Sequence, residues 1–250
     1  MTRFFIELSY HGKNYCGWQV QPGSPSVQES IETALFTILR EKIEIVGCGR
    51  TDTGVHASQY FAHFDWKEEA FPTHFFYRLN KILPKDIAIH RIVKVENEAH
   101  ARFDAFRRAY QYHIDGKKNP FSIETATFIY NFEDLNIEKM QEAARLLLDY
   151  QEFAPFCKSN HDAKTQRCEL YRSEWEWDAA NKKAIYHISA NRFLRGMVRL
   201  IVGMCLNVGA GKLTIEDVKF ALDNQILLKK ANSAEPQGLF LTEIHYPYDI

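Results

Sequence analysis

Hydrophobic residues recur along this 250-residue chain with two periods that keep changing places. Runs that alternate apolar and polar fit half-buried strands, and runs with apolar residues three and four apart fit amphipathic helices. Arg3–Tyr10 alternates, and the glycine-containing loop HGKNYCGWQVQPGSPS follows it. Ser26 and Glu29 then stand at capping-box spacing before Val27, Ile31, Leu35, Ile38 and Leu39, which predicts a helix over Ser26–Glu41. IEIVGCG and HASQYFAHFDW follow as strands, THFFYRLNKIL as a helix closed by Pro84, and DIAIHRIVKV and FDAFRRAYQYHI as strands. The second half gives a helix at NIEKMQEAARLLLDY, paired strands around a turn at ANKK, an apolar helix over Leu194–Val208, and a helix opened by Thr214 and Asp217. A last strand spans Gly238–Tyr246. The expected class is α+β, two similar α/β halves, 1–106 and 107–250.

Five cysteines, Cys16, Cys48, Cys157, Cys168 and Cys205, show no paired spacing, so reduced thiols of a cytoplasmic protein are expected. The N-terminus lacks the apolar core of a secretory signal. The longest apolar stretch, around MVRLIVGMCLNVGAG, is too short to span a bilayer and carries Arg199, so no membrane partner is expected. Thirty-one Lys and Arg against thirty-two Asp and Glu give a net charge of −1. That balance argues mildly against a nucleic-acid partner without excluding one, because a local basic patch suffices and oligomerisation can join two.

Several motifs fail on spacing. GAGKLT (Gly209–Thr214) has Leu206 where a P-loop needs its first glycine, and Leu213 where it needs Ser or Thr, so a helix C-cap fits better. Cys157, His161 and Cys168 match no common zinc spacing, and Cys48, Asp52 and His56 mix hard and soft ligands without a second pair, so no metal is expected. Cys48 and His56 flank the loop without any nucleophile motif, and Cys48 is better taken as a small buried hydrophobe.

GCGRTDTGVHA (Gly47–Ala57) leaves Asp52 with two readings. An aspartate in a turn can serve only a backbone hydrogen bond. A carboxylate that a nearby arginine such as Arg50 orients can also be a nucleophile or stabilise a cationic sugar. A glycosidase would need a second acid, and none stands in a comparable loop. In ARFDAFRRAYQYHI, strand alternation puts Asp104, Phe106, Arg108, Tyr110, Tyr112 and Ile114 on one face, where arginine and tyrosine can hold phosphate and stack on bases; an amphipathic strand with snorkelling arginines is the plainer reading. In NRFLRGMVR, Arg195 and Arg199 lie one helical turn apart. Arg199 sits between Val198 and Leu200, and a buried arginine needs a partner, for which Asp52 is a candidate.

The chain resembles the tRNA pseudouridine synthase A family. The signature loop G-R-T-D-x-G-V-H-A stands at Gly49–Ala57, and YHGKNYCGWQVQPGSPSVQESIETAL, LNKILPKDIAI, AHARFDAFRRAYQY, FLRGMVRLIVG and EPQGLFL resemble further family segments in the right order. The departures are His11 for the usual aspartate after Tyr10, Thr53 at the variable signature position, and YQEF, with Gln151 and Glu152, where H-D-F is common. The resemblance implies that Asp52 is the catalytic nucleophile, that Tyr110 stacks on the target uracil and is placed to help remove the C5 proton, and that Arg199 pairs with the catalytic aspartate. It implies that Arg50 helps flip and hold the nucleotide; Arg108 and Tyr112, from the strand face, and Arg195, from the helix start, are further candidate substrate contacts. The implied fold is two α/β halves about a central, mostly antiparallel sheet with the active cleft between them. The implied reaction turns uridine into pseudouridine in the tRNA anticodon stem-loop, at positions 38, 39 or 40, in a homodimer whose two subunits share one tRNA. It needs no cofactor, ATP or metal, and the base must first leave its stack. A non-catalytic tRNA-binding protein would not need Asp52, and a nucleoside or glycoside hydrolase would release free uracil.

Overall fold

In the computed structural model the described residues are 1–68, 70–158, 165–229 and 232–250. Their order is β1 (Thr2–Tyr10), α1 (Val27–Leu39), β2 (Val46–Gly47), β3 (His56–Trp66), α2 (Phe75–Ile82), β4 (Ile87–Lys94), β5 (Arg107–Asp115), β6 (Thr127–Phe128), α3 (Ile137–Leu146), β7 (Leu170–Asp178), β8 (Lys183–Ala190), α4 (Met197–Gly209), α5 (Ile215–Asn224) and β9 (Leu239–His245). They form two compact units, Met1–Arg107 with Phe240–Ile250, and Arg108–Leu239. The final strand, grouped by sequence with the second half, lies in the first unit. Its reason is long-range: β9 pairs with β3, Phe240 opposite His56 and Leu241 opposite Ala57.

In the first unit the strands run β4-β1-β3-β9, with β2 on β3. β1 is antiparallel to both neighbours, Ile6 facing Ala62 on β3 and Ile92 on β4. Phe5 and Ile6 point to opposite faces and neither is exposed, so this sheet is covered on both sides. α1 buries Val27, Ile31, Ala34, Leu35 and Ile38 along one stripe. Its Ser26 hydroxyl accepts from the Glu29 N–H at 3.2 Å, the bond the spacing predicted. The strand expected over IEIVGCG shrinks to Val46–Gly47 because side chains of α1 take the backbone of Ile45. Glu32 accepts its N–H at 3.0 Å and Gln28 donates to its carbonyl at 3.1 Å.

In the second unit β5 pairs antiparallel with β8, and β8 with β7. α4 buries ten of its thirteen residues, which explains its apolar sequence as helical core. Thr214 and Asp217 cap α5 reciprocally, as their spacing predicted. The GAGKLT stretch is a helix end: Gly211, at φ +68°, donates to the Val208 carbonyl at 3.0 Å. The long ladders are antiparallel and the β3–β9 and β5–β6 contacts parallel, so the α+β class expected from the periodicities is the one observed. No helix among the described residues is long and apolar enough to cross a membrane.

Candidate active site

Asp52 sits at the head of a tight turn. The Val55 N–H donates to the Asp52 carbonyl at 3.1 Å, and Gly54 between them takes φ +77°, which a side chain would strain. Before Asp52, Thr51 is buried and shares a 2.8 Å hydroxyl–hydroxyl bond with Tyr10 of β1. The Tyr60 hydroxyl donates to the Gly49 carbonyl, and Trp18 stacks on Tyr60 with ring centroids 4.0 Å apart. The aspartate is thus carried on a backbone held on both sides, with its side chain partly exposed and Arg50 exposed beside it.

The support beneath the turn is the segment 11–18. A Cβ on Gly12 would lie 2.0 Å from the Val55 carbonyl oxygen, and one on Gly17 would lie 2.2 Å from that of Thr51. Only glycine admits this approach. The Gly54 N–H donates to the Tyr15 carbonyl at 3.3 Å, and the Gly12 N–H donates to His56 Nδ1 at 2.9 Å. Because a backbone N–H can only donate, His56 accepts at Nδ1 and has its proton on Nε2 when neutral. Buried against Phe240 at 4.5 Å between ring centroids, it is a structural histidine. Cys48, before the loop, is fully buried, as its reading as a small hydrophobe expected. These holding residues, Gly12, Tyr15 and Gly17, were not singled out in the sequence. The signal was the pair of glycines in YHGKNYCGW, without any sign of what they approach.

Tyr110, Arg108, Tyr112, Arg195 and Arg199 belong to the second unit. Tyr110, on β5 opposite Ile188, is half-buried and meets Phe193 edge-on, centroids 5.1 Å apart. Arg108 donates to the Asn191 carbonyl at 3.1 Å. Three expectations need correction. Asp104 and Phe106 precede β5, so strand alternation does not place them with Tyr110; Asp104 instead accepts from the His100 N–H at 2.7 Å and the Tyr248 hydroxyl at 2.9 Å. Tyr112 does lie on β5, but it is fully buried, with its hydroxyl bonded to Thr127 at 2.6 Å and donating to the Glu235 carbonyl at 2.9 Å. Burial pushes its phenol up to about 12, and such a side chain presents nothing to a substrate. Arg195 lies outside α4: Gly196, at φ +71°, caps the helix, so Arg195 and Arg199 are not one turn apart on it.

Arg199 stands on the first turn of α4 between buried Val198 and Leu200, and its Nε donates to the Ala234 carbonyl at 2.6 Å. The Ala234 N–H returns a bond to the Arg199 carbonyl at 2.9 Å. This crossing depends on Gly203, whose Cβ would lie 1.8 Å from the Asn232 carbonyl oxygen. Gly203→Ala is therefore expected to destabilise the protein by about 3 kcal/mol, because backbone must move to admit the methyl. Denaturant unfolding checks this; a midpoint equal to that of the parent would show that the crossing can shift freely.

Burial pushes the Cys168 thiol up to about 11 and raises that of Cys157, so neither is a thiolate near neutral pH. His161, considered with them as a ligand, lies outside the described residues.

A family model described as tRNA pseudouridine synthase matches residues 143–247, a span that holds Arg199 but neither Asp52 nor Tyr110. The tRNA pseudouridine synthase A of Azobacteroides pseudotrichonymphae is 45% identical over 249 residues, covering 99% of this chain and 98% of the relative. The chain belongs to the tRNA pseudouridine synthase A family. Family members from Bacteroides thetaiotaomicron and Parabacteroides distasonis are 43% and 44% identical over the whole of this chain, covering 93% and 98% of theirs. Membership in the tRNA pseudouridine synthase A family makes the chain an enzyme, an isomerase. The full-length relatives extend the match past residues 143–247 to the Asp52 loop.

Proposed function

We propose that this isomerase converts uridine to pseudouridine in the anticodon stem-loop of tRNA, at positions 38, 39 or 40, with Asp52 as its catalytic carboxylate. Family membership supports the reaction, and the observation that supports the residue is the turn itself. A partly exposed carboxylate stands on a backbone fixed from beneath by Gly12, Tyr15 and Gly17. Preorganisation of that kind is what attack on one atom of a flipped nucleotide requires. The bond from ribose C1′ to uracil N1 breaks and one from C1′ to C5 forms. The C5 proton leaves to solvent and N1 gains one, so the reaction conserves mass and electrons. In this reading Tyr110 stacks on the uracil and helps remove the C5 proton, and Arg199 pairs with the carboxylate. Arg50 holds the flipped nucleotide, and Arg108 and Arg195 meet phosphates. A homodimer acting in the cytoplasm, with both subunits on one tRNA, completes the proposal.

The test is release of tritium to water from unmodified tRNA labelled at uridine C5. Release that accompanies pseudouridine supports the reading. Absence of release from folded enzyme bound to tRNA overturns it, and free uracil would replace it with hydrolysis.

Because the net charge is −1, affinity for tRNA must come from local clusters of arginine and lysine. With several phosphate contacts, affinity is expected to fall by roughly 10²-fold or more between 50 and 200 mM salt. Filter binding across that range checks it, and a flat profile would count against phosphate-dominated binding.

A further inference from the structure

Asp86 lies far in sequence from the catalytic turn, yet it anchors the segment on which the turn rests. Its carbonyl accepts from the His11 N–H at 2.8 Å. One carboxylate oxygen accepts from the Tyr15 hydroxyl at 2.6 Å and the other from the Asn14 amide at 3.0 Å. Asp86 is itself tied to the sheet: the Ile87 N–H closes a turn onto the Pro84 carbonyl at 3.0 Å, and Ile87 pairs with Tyr10 of β1. The chain of contacts runs from the sheet through the Asp86 carboxylate to the Tyr15 hydroxyl, and from the Tyr15 carbonyl to the Gly54 N–H in the turn headed by Asp52.

The glycine contacts and this chain do different work. The close approaches of Gly12 and Gly17 are repulsive walls, which stop the turn from sinking into the segment below, while the Gly12 N–H bond to His56 holds the chain just after the turn. The Tyr15–Gly54 hydrogen bond is attractive and restrains the turn itself from lifting away. Tyr15 is almost fully buried, and burial together with the neighbouring Asp86 carboxylate holds its phenol well above the usual tyrosine range, so the hydroxyl stays a donor. A carboxylate that accepts from a hydroxyl is among the stronger hydrogen bonds a protein makes.

We infer that Asp86 is a positioning residue for catalysis, fixing the height of the Asp52 turn through Tyr15. The inference rests on the reading of Asp52 as the catalytic carboxylate. Tyr15→Phe removes only the hydroxyl, Asp86→Ala removes both acceptor oxygens, and Asp86→Asn keeps one acceptor for Tyr15. In single-turnover tritium release with enzyme in excess over tRNA, Tyr15→Phe and Asp86→Ala are each expected to be slowed roughly 10- to 100-fold, the cost of a displaced reacting group. Affinity for tRNA should stay near that of the parent, Asp86→Asn should recover most of the rate, and the double variant Tyr15→Phe/Asp86→Ala should be no slower than the slower single one. Hydrogen exchange at the Gly54 amide should quicken in Tyr15→Phe. A merely structural role would lower the melting temperature and leave the single-turnover rate of Tyr15→Phe within twofold of the parent, which would overturn the inference. Unchanged Gly54 exchange would overturn it as well. That exchange needs no catalysis, so it separates failure of this inference from failure of the proposed function, which shows in the parent's own tritium release.

Discussion

Asp52→Asn is expected to slow tritium release by on the order of 10⁴-fold or more, as removal of a nucleophile does elsewhere. At about 1.4 kcal/mol per tenfold, that is roughly 5.5 kcal/mol of lost transition-state stabilisation. Asparagine is the informative replacement because it separates the two readings of this residue. An aspartate that only shapes a turn is well replaced by asparagine, which favours the same turns. The bond that closes this turn runs from the Val55 N–H to the backbone carbonyl of Asp52, and no side-chain change removes it. Thr51 and Gly54 keep their own anchors on Tyr10 and Tyr15. Stability should therefore stay within about 0.5 kcal/mol, and tRNA affinity within roughly threefold, while the chemical step is lost. An Asp52→Asn enzyme that releases tritium at the parent rate would reduce Asp52 to a turn residue and leave the reaction without its carboxylate.

How far the sequence could be read depended on the range of the forces involved. α1 and α5 were legible because their caps are local: Ser26 bonds the N–H of Glu29, and Thr214 that of Asp217. β3 was legible end to end because a sheet residue's apolar pattern is written in its own strand. The failures all involve partners distant in sequence or backbone angles that a pattern does not carry. β2 is short because Gln28 and Glu32 reach Ile45 from a helix. Arg195 leaves its expected helix face because Gly196 takes a positive φ. Tyr112 shares an alternating pattern with Tyr110, and alternation says which side chains point the same way without saying which of them the core will cover. The Asp52 loop stood out by composition and family resemblance. Its support by Gly12, Tyr15 and Gly17 did not, because that contact joins segments about forty residues apart.

Gly17→Ala tests that support with a second glycine as its control. Gly17 has φ +92°, and its Cβ would lie 2.2 Å from the Thr51 carbonyl oxygen and 3.3 Å from the Asp52 carbonyl carbon. Gly23, six residues on, has φ +73° with nothing within 4 Å of its Cβ position. Both alanines carry the cost of a left-handed backbone, about 1–2 kcal/mol. Only Gly17→Ala adds a collision with backbone, about 1–3 kcal/mol more. The collision cannot be relieved by a side-chain rotation, so either the turn rises or the segment below it falls. The Gly17 carbonyl also accepts from Val27 N–H at 3.3 Å, at the start of α1, which resists the downward movement. The turn should yield, carrying Asp52 with it. Gly17→Ala is then expected to lose about 10²-fold in single-turnover rate, the cost of roughly 1 Å of misplacement, and Gly23→Ala to keep the parent rate despite its own loss of stability. Equal rates in the two variants would mean that left-handed strain alone is felt and that the turn holding Asp52 does not depend on contact with Gly17.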